Sequence, residues 1–148
     1  MSLSLGTTAK FTIGIMAFNV AVVVLFGLSL IEEYKDKKAP AEDYMTIEYI
    51  KASDVVNSTQ KMEMCRWVDK ERTGTWTWEL TSVEEGRVYS ASQGAIIEVI
   101  DDCILKWTLT NLPSLNQKPG VYYWSTIVEF DVNGYKKSLS ARSNNFSI

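Results

Sequence analysis

The chain has 148 residues, no histidine, a formal net charge of -3 and a sequence pI of about 5.0. That length holds one domain with an appendage. The charge excludes the basic footprint that nucleic-acid binding needs, and the missing histidine removes the commonest catalytic base and the commonest metal ligand. The expectation is a protein without catalytic residues, metal or cofactor.

Residues 1–10 form a short tail. From Phe11 to Ile31 the only clearly polar side chains are Thr12, Asn19 and Ser29, and all 18 acidic residues and every basic residue except Lys10 follow Ile31. As a helix, residues 11–31 span about 31 Å at 1.5 Å per residue, which matches the hydrocarbon of a bilayer. The segment therefore predicts a single-pass transmembrane helix with membrane lipid around it. A buried core helix is rarely apolar all round over this length, and the apolar core of a signal peptide is shorter. Asn19 near the middle of the span calls for a polar partner. Gly14, Ala17 and Ala21 are small enough to let a second helix approach, so these four residues are the candidate helix interface.

Residues 32–43, EEYKDKKAPAED, read as a charged stalk. Its lysines would draw the following domain to the cytoplasm by the positive-inside rule. The composition of that domain argues the other way, and an extracytoplasmic placement is the expectation.

From Tyr44 onward the apolar period changes to two, the mark of half-buried strands. Trp76, Trp78 and Leu80 fall on one face of a strand whose other face carries Thr75, Thr77, Glu79 and Thr81. The same alternation groups Met62, Met64 and Val68, then Cys103, Leu105, Trp107 and Leu109, then Tyr122, Trp124, Val128 and Phe130. Breaks fall at Thr73-Gly74, Glu85-Gly86, Gly94 and Pro119-Gly120, and Asn133-Gly134 is a strong signal for a two-residue type I′ hairpin. The segments are 44–50, 61–69, 75–81, 87–92, 95–100 together with 103–110, 121–132 and 135–148. Seven strands in residues 44–148 predict an all-β, antiparallel two-sheet sandwich.

The run from Trp107 to Pro113, the segment Pro119-Gly120-Val121-Tyr122-Tyr123-Trp124, the Asn133-Gly134 turn and the closing Ser143–Ile148 together resemble the last three strands of an immunoglobulin-like or fibronectin type III-like domain. The resemblance covers about 40 residues. It implies a tyrosine whose hydroxyl ties the corner before the penultimate strand, a role for Tyr122 or Tyr123 here, and it implies recognition or spacing with no chemistry. The first half of the domain lacks the proline-rich opening strand of the fibronectin pattern.

In an immunoglobulin-like order the strands of Cys65 and Cys103, the only cysteines, are neighbours in one sheet. A disulfide between them would contribute about 3 to 4 kcal/mol. Parity speaks against it, since Cys65 shares a face with Glu63 and Asp69 while Cys103 shares one with Leu105 and Trp107. A bulge would repair the mismatch, and two free thiols are the alternative. Trp76, Trp78, Trp107 and Trp124 read as core by the same parity. Trp67 falls on the polar face and is the candidate surface contact. Asp101-Asp102 and Glu84-Glu85 read as solvated turns, and Asn57-Ser58-Thr59 and Asn145-Phe146-Ser147 fit the glycosylation acceptor pattern.

The resulting functional expectation is an accessory or structural subunit of a larger membrane assembly or virion, meeting other protein subunits through its helix and its sandwich. The alternative is a membrane-tethered adhesion or ligand-binding module, including the type found as stator-like subunits of archaeal filaments.

Overall fold

The computed structural model describes residues 6–110 and 118–148, with side chains described from Phe18 onward. It divides into two compact units, Met1–Ala39 and Pro40–Ile148.

The first unit is a single helix, α1, Gly6–Lys38. The segment expected to be a stalk is helical as far as Lys38, because Glu, Lys and Tyr propagate a helix that nothing interrupts before Pro40. Lys35, Lys37 and Lys38 lie in the last turn, where cations complement the helix dipole, and the Lys38 ammonium lies 4.9 Å from the centre of the Tyr34 ring one turn back.

Among the described residues, no helix is long and apolar enough to cross a membrane. This overturns the expected transmembrane helix, and with it the expected single-pass membrane localisation and extracytoplasmic domain. The apolar residues share this helix with charged ones. Glu32, Glu33, Lys35 and Asp36 then continue the same helix.

The second unit opens with a 3-10 turn, Ala41–Asp43, and carries eight strands: β1 Met45–Ala52, β2 Thr59–Val68, β3 Arg72–Ser82, β4 Gly86–Ile97, β5 Ile104–Thr110, β6 Val121–Val132, β7 Tyr135–Arg142 and β8 Phe146–Ser147. They form two antiparallel sheets. One has the order β1-β2-β5; the other has the order β4-β3-β6-β7, with β8 also pairing β6.

Two details depart from the expected seven strands: the first moves a boundary, and only the second raises the count. Gly94 does not break a strand: it pairs Thr75, so residues 86–97 are one continuous β4. At the C-terminus, Ser143 and Asn144 leave the ladder and separate β7 from β8. The Asn144 side chain accepts from the Ala52 N–H at 2.8 Å and donates to the Ala52 carbonyl at 2.9 Å, standing in for a strand partner of β1.

Both tight hairpins place non-glycine residues at positive φ. Asn133 (φ 50) and Gly134 (φ 87) turn β6 into β7, and Asn57 (φ 52) and Ser58 (φ 59) turn the chain between Val56 and Thr59, whose backbones exchange two 3.0 Å hydrogen bonds. Asn and Gly tolerate that region best, which is why these turns sit where they do.

The core fills in two clusters. Met45, Val68, Ile97, Val128, Phe130 and Val132 belong to one, and Ile50, Met62, Met64, Leu80, Tyr122, Trp124 and Phe146 to the other. The sheets close on each other along one side, where β1 meets β7 and Ile50 bridges Ser143. On the other side the edge strands are β5 and β4, which belong to different sheets and do not pair.

Candidate functional site

The side of the sandwich bounded by β4 and β5 holds a cavity of about 540 Å³, within the ~300–1,000 Å³ of small-molecule sites. Its walls come from the inward faces of five strands: Met62, Met64 and Arg66 of β2, Trp76 and Trp78 of β3, Tyr89, Ala91 and Gln93 of β4, Leu105, Trp107, Leu109 and Thr110 of β5, and Trp124 of β6. Apart from Thr110 at the end of β5, the strands supply alternate residues because successive side chains of a strand point to opposite faces.

The floor is fixed. Trp124 is 4% exposed, and its indole Nε1–H donates to Gln60 Oε1 at 2.8 Å. The Gln60 amide nitrogen in turn donates to the Ser53 carbonyl at 2.8 Å. A buried indole N–H needs such a partner, and a carboxamide with both ends engaged holds its rotamer.

The walls are aromatic and half-buried. Trp76 and Trp78 lie nearly parallel with centroids 6.2 Å apart, and Trp78 meets the Trp107 ring edge-on at 5.9 Å and that of Trp124 at 6.4 Å. Tyr89 meets Trp124 edge-on from the β4 side at 6.4 Å. Of the four tryptophans assigned to the core by parity, only Trp124 is buried; Trp76, Trp78 and Trp107 line the cleft. Alternation gives the face a side chain occupies and not the depth at which it sits.

Arg66 is the feature that the pattern reading passed over. It has the parity of Met62, Met64 and Val68, and so stands on the inner face of β2 at 6% exposure. Its Nε and Nη1 are buried and have no hydrogen-bond partner among the described residues. Burial pushes the guanidinium pKa below the usual arginine range, and the charge of Glu98 acts the other way.

Arg72 shows how this fold satisfies a buried arginine. At 8% exposure it donates to both carboxylate oxygens of Asp69 at 2.7–3.0 Å and to the Asp131 carbonyl at 3.3 Å, with the Tyr44 and Phe130 rings at 5.2 and 5.9 Å.

The residues singled out by the sequence are dispersed. Asn19 and Ala21 are exposed on α1, while the side chains of Gly14 and Ala17 lie outside the described ones. Trp67 points outward from β2 at 49% exposure. Of the two adjacent tyrosines, Tyr122 is buried and its hydroxyl donates to the Lys118 carbonyl four residues upstream at 2.7 Å. Tyr123 lies on the opposite face beneath the Arg142 guanidinium, 3.5 Å from its ring centre. Asn111, Leu112 and Pro113 of the resembling stretch lie outside the described residues.

Cys65 and Cys103 form a disulfide. The parity conflict vanishes because Cys103 sits in the bend before β5, where alternation does not hold, with its carbonyl accepting from the Arg66 N–H at 2.9 Å. Glu48 lies beside the pair, but sulfurs bonded to each other offer no thiolate to a metal.

Asn57 occupies the first positive-φ position of its turn, and Asn145 accepts from Arg142 Nη2 at 2.9 Å. No protein-family model matches this chain, and no curated protein matches it in sequence.

Proposed function

We propose that residues 40–148 form a non-catalytic recognition domain of the immunoglobulin-like or fibronectin type III-like kind, which takes an apolar ligand into the tryptophan-lined cleft between its sheets. The observation that carries this reading is the half-burial of Trp76, Trp78 and Trp107 around a 540 Å³ cavity. Tryptophan is the most area-rich side chain a core can use, and three of them left partly open around a fixed floor suit a ligand better than a core. The finer family reading is supported by the packing of a three-stranded on a five-stranded antiparallel sheet and by the Tyr122 hydroxyl tie to Lys118.

The test is a titration of the full chain with the neutral probe N-phenyl-1-naphthylamine, read as energy transfer from tryptophan to the probe. Saturable binding, weakened about tenfold or more by Trp78→Ala and by Trp107→Ala, is expected from the loss of a large aromatic contact. Binding that neither substitution changes would place the probe elsewhere and reject the cleft.

A second reading, a structural or accessory subunit that meets other protein chains, is favoured by a separate observation. Phe18, Val23, Leu25, Phe26 and Leu30 of α1 are all more than half exposed, and clustered exposed apolar side chains are what an interaction surface presents. Trp67 on the outer face of β2 would be its contact residue in the sandwich. A native mass measurement of the gently extracted full chain is expected to show co-purifying chains, and a lone monomer would reject it.

A further inference from the structure

Among the described residues lining the cleft one side chain is charged, Arg66, and although the charge of Glu98 acts on it, no carboxylate pairs with it directly. Arg66 is 6% exposed, its Nε and Nη1 find no acceptor among the described residues, and it lines the cavity together with Met62 and Met64 of its own strand. Among the described residues no carboxylate forms an ion pair with it, whereas the equally buried Arg72 has Asp69. A buried cation is ordinarily paired and hydrogen-bonded, and a core position gains nothing from a guanidinium that a leucine would not supply better. Among the described residues no acceptor meets these donors, and a ligand entering the cleft beside Arg66 can bring one.

We propose that the ligand of the cleft is an apolar monocarboxylate: Arg66 receives the carboxylate, and Trp78, Trp107 and Met64 take the hydrocarbon or aromatic body. This inference rests on the cleft being the binding site and specifies what binds there. A single negative charge fits because, among the described residues, Arg66 is the only charged side chain in the lining, where the remaining polar groups are those of Gln93, Thr110 and the ring-edge donors and hydroxyl of Trp and Tyr. A phosphate dianion would bring a second charge and further acceptor oxygens into an apolar wall with no second cation to meet them. A carboxylate needs only one guanidinium, whose planar donors match it.

The test compares matched pairs on the full chain by tryptophan fluorescence near neutral pH: decanoate against decan-1-ol, and 1-naphthylacetate against 2-(1-naphthyl)ethanol. The pairs separate an aliphatic from an aromatic body while holding the headgroup contrast constant. In at least one pair the acid is expected to bind about tenfold or more tightly than the alcohol, the effect of one charge-assisted hydrogen bond. In Arg66→Met that ratio is expected to fall to about one, with alcohol binding retained. Equal binding of acid and alcohol by the unmodified protein in both pairs, or an acid preference that survives in Arg66→Met, would overturn the assignment of Arg66 while leaving the cleft as a neutral apolar site. Failure of all four compounds to bind would remove the cleft itself. Should Arg66→Met not fold, the acid-to-alcohol ratio of the unmodified protein decides the matter, with Arg66→Lys expected to lower but not abolish it.

Discussion

Glu63, on the outer face of β2, accepts a 2.9 Å hydrogen bond from the Tyr49 hydroxyl and has Lys106 and Lys51 at 3.4 and 3.9 Å. The Tyr49 bond above all, with Lys106 and Lys51 adding to it, holds its carboxyl below the usual glutamate range against the opposing cost of burial. A carboxylate whose pKa is depressed on folding contributes stability that is fully present above its unfolded pKa and is lost as pH falls through the folded one. Urea midpoints are therefore expected to fall as pH drops below the ordinary glutamate range, and Tyr49→Phe should flatten that acid limb while leaving the neutral-pH limb nearly unchanged. An unaltered acid limb in the variant would show that the hydroxyl does not set the titration. This contact was invisible in the sequence, because it joins residues fourteen apart that only strand register brings together. Arg66 differs: its parity with Met62 and Met64 was legible, and a charge at an inward position of a strand was the available signal. Trp76, Trp78 and Trp107 were assigned the right face, but their half-burial depends on how far two sheets diverge, which no single strand encodes.

Among the elements, β3 is the central strand of its sheet, flanked by β4 and β6, and Gly74 lies within it, opposite Ala95 on one side and Phe130 on the other. The sequence reads this glycine as a break because glycine is most often found in turns. Here it is needed for close approach. A Cβ at this position would lie 2.8 Å from the Glu129 carbonyl oxygen and 2.7 Å from Ile97 Cδ1, and the backbone oxygen cannot swing away as a side chain can. Gly74→Ala is expected to destabilise the domain by about 1–3 kcal/mol, the usual cost of overpacking, measured by chemical denaturation. No loss, or a gain, would mean that β6 can move aside. The Cys65–Cys103 disulfide acts on another element: it pins the start of the edge strand β5, a wall of the cleft, to β2 within the same sheet. With the cysteines 38 positions apart in sequence, the chain-entropy relation gives a loss of about 4 kcal/mol on removing the bond. Reduction, or the double substitution Cys65→Ser with Cys103→Ser, should lower the urea midpoint accordingly. An unchanged midpoint would show that the closed loop does not constrain the unfolded chain.

At the scale of the molecule, both core clusters and all eight strands lie within Pro40–Ile148, whereas the described side chains of α1 before Glu32 contribute none of the buried residues. The energetics of the two units follow from that division. A β-sandwich with its own core, disulfide and closed β1–β7 side has what independent folding requires, while a helix with apolar side chains on every described face has nothing within its own unit to bury them against. A chain cut to residues 40–148 is therefore expected to unfold in one cooperative transition with a midpoint close to that of the sandwich in the full chain, and to sediment as a monomer. The full chain should associate, with itself or with other proteins, in proportion to the apolar surface that Phe18, Leu25, Phe26 and Leu30 expose. Sedimentation velocity on the two forms at matched concentration checks both halves of this expectation. If the full chain stays monomeric and monodisperse, the helix is not an assembly element, and the recognition chemistry of the sandwich becomes the sole support for a function. If instead the shortened chain fails to fold, the sandwich draws stability from residues before Pro40, and the division between a folding unit and an association unit is wrong.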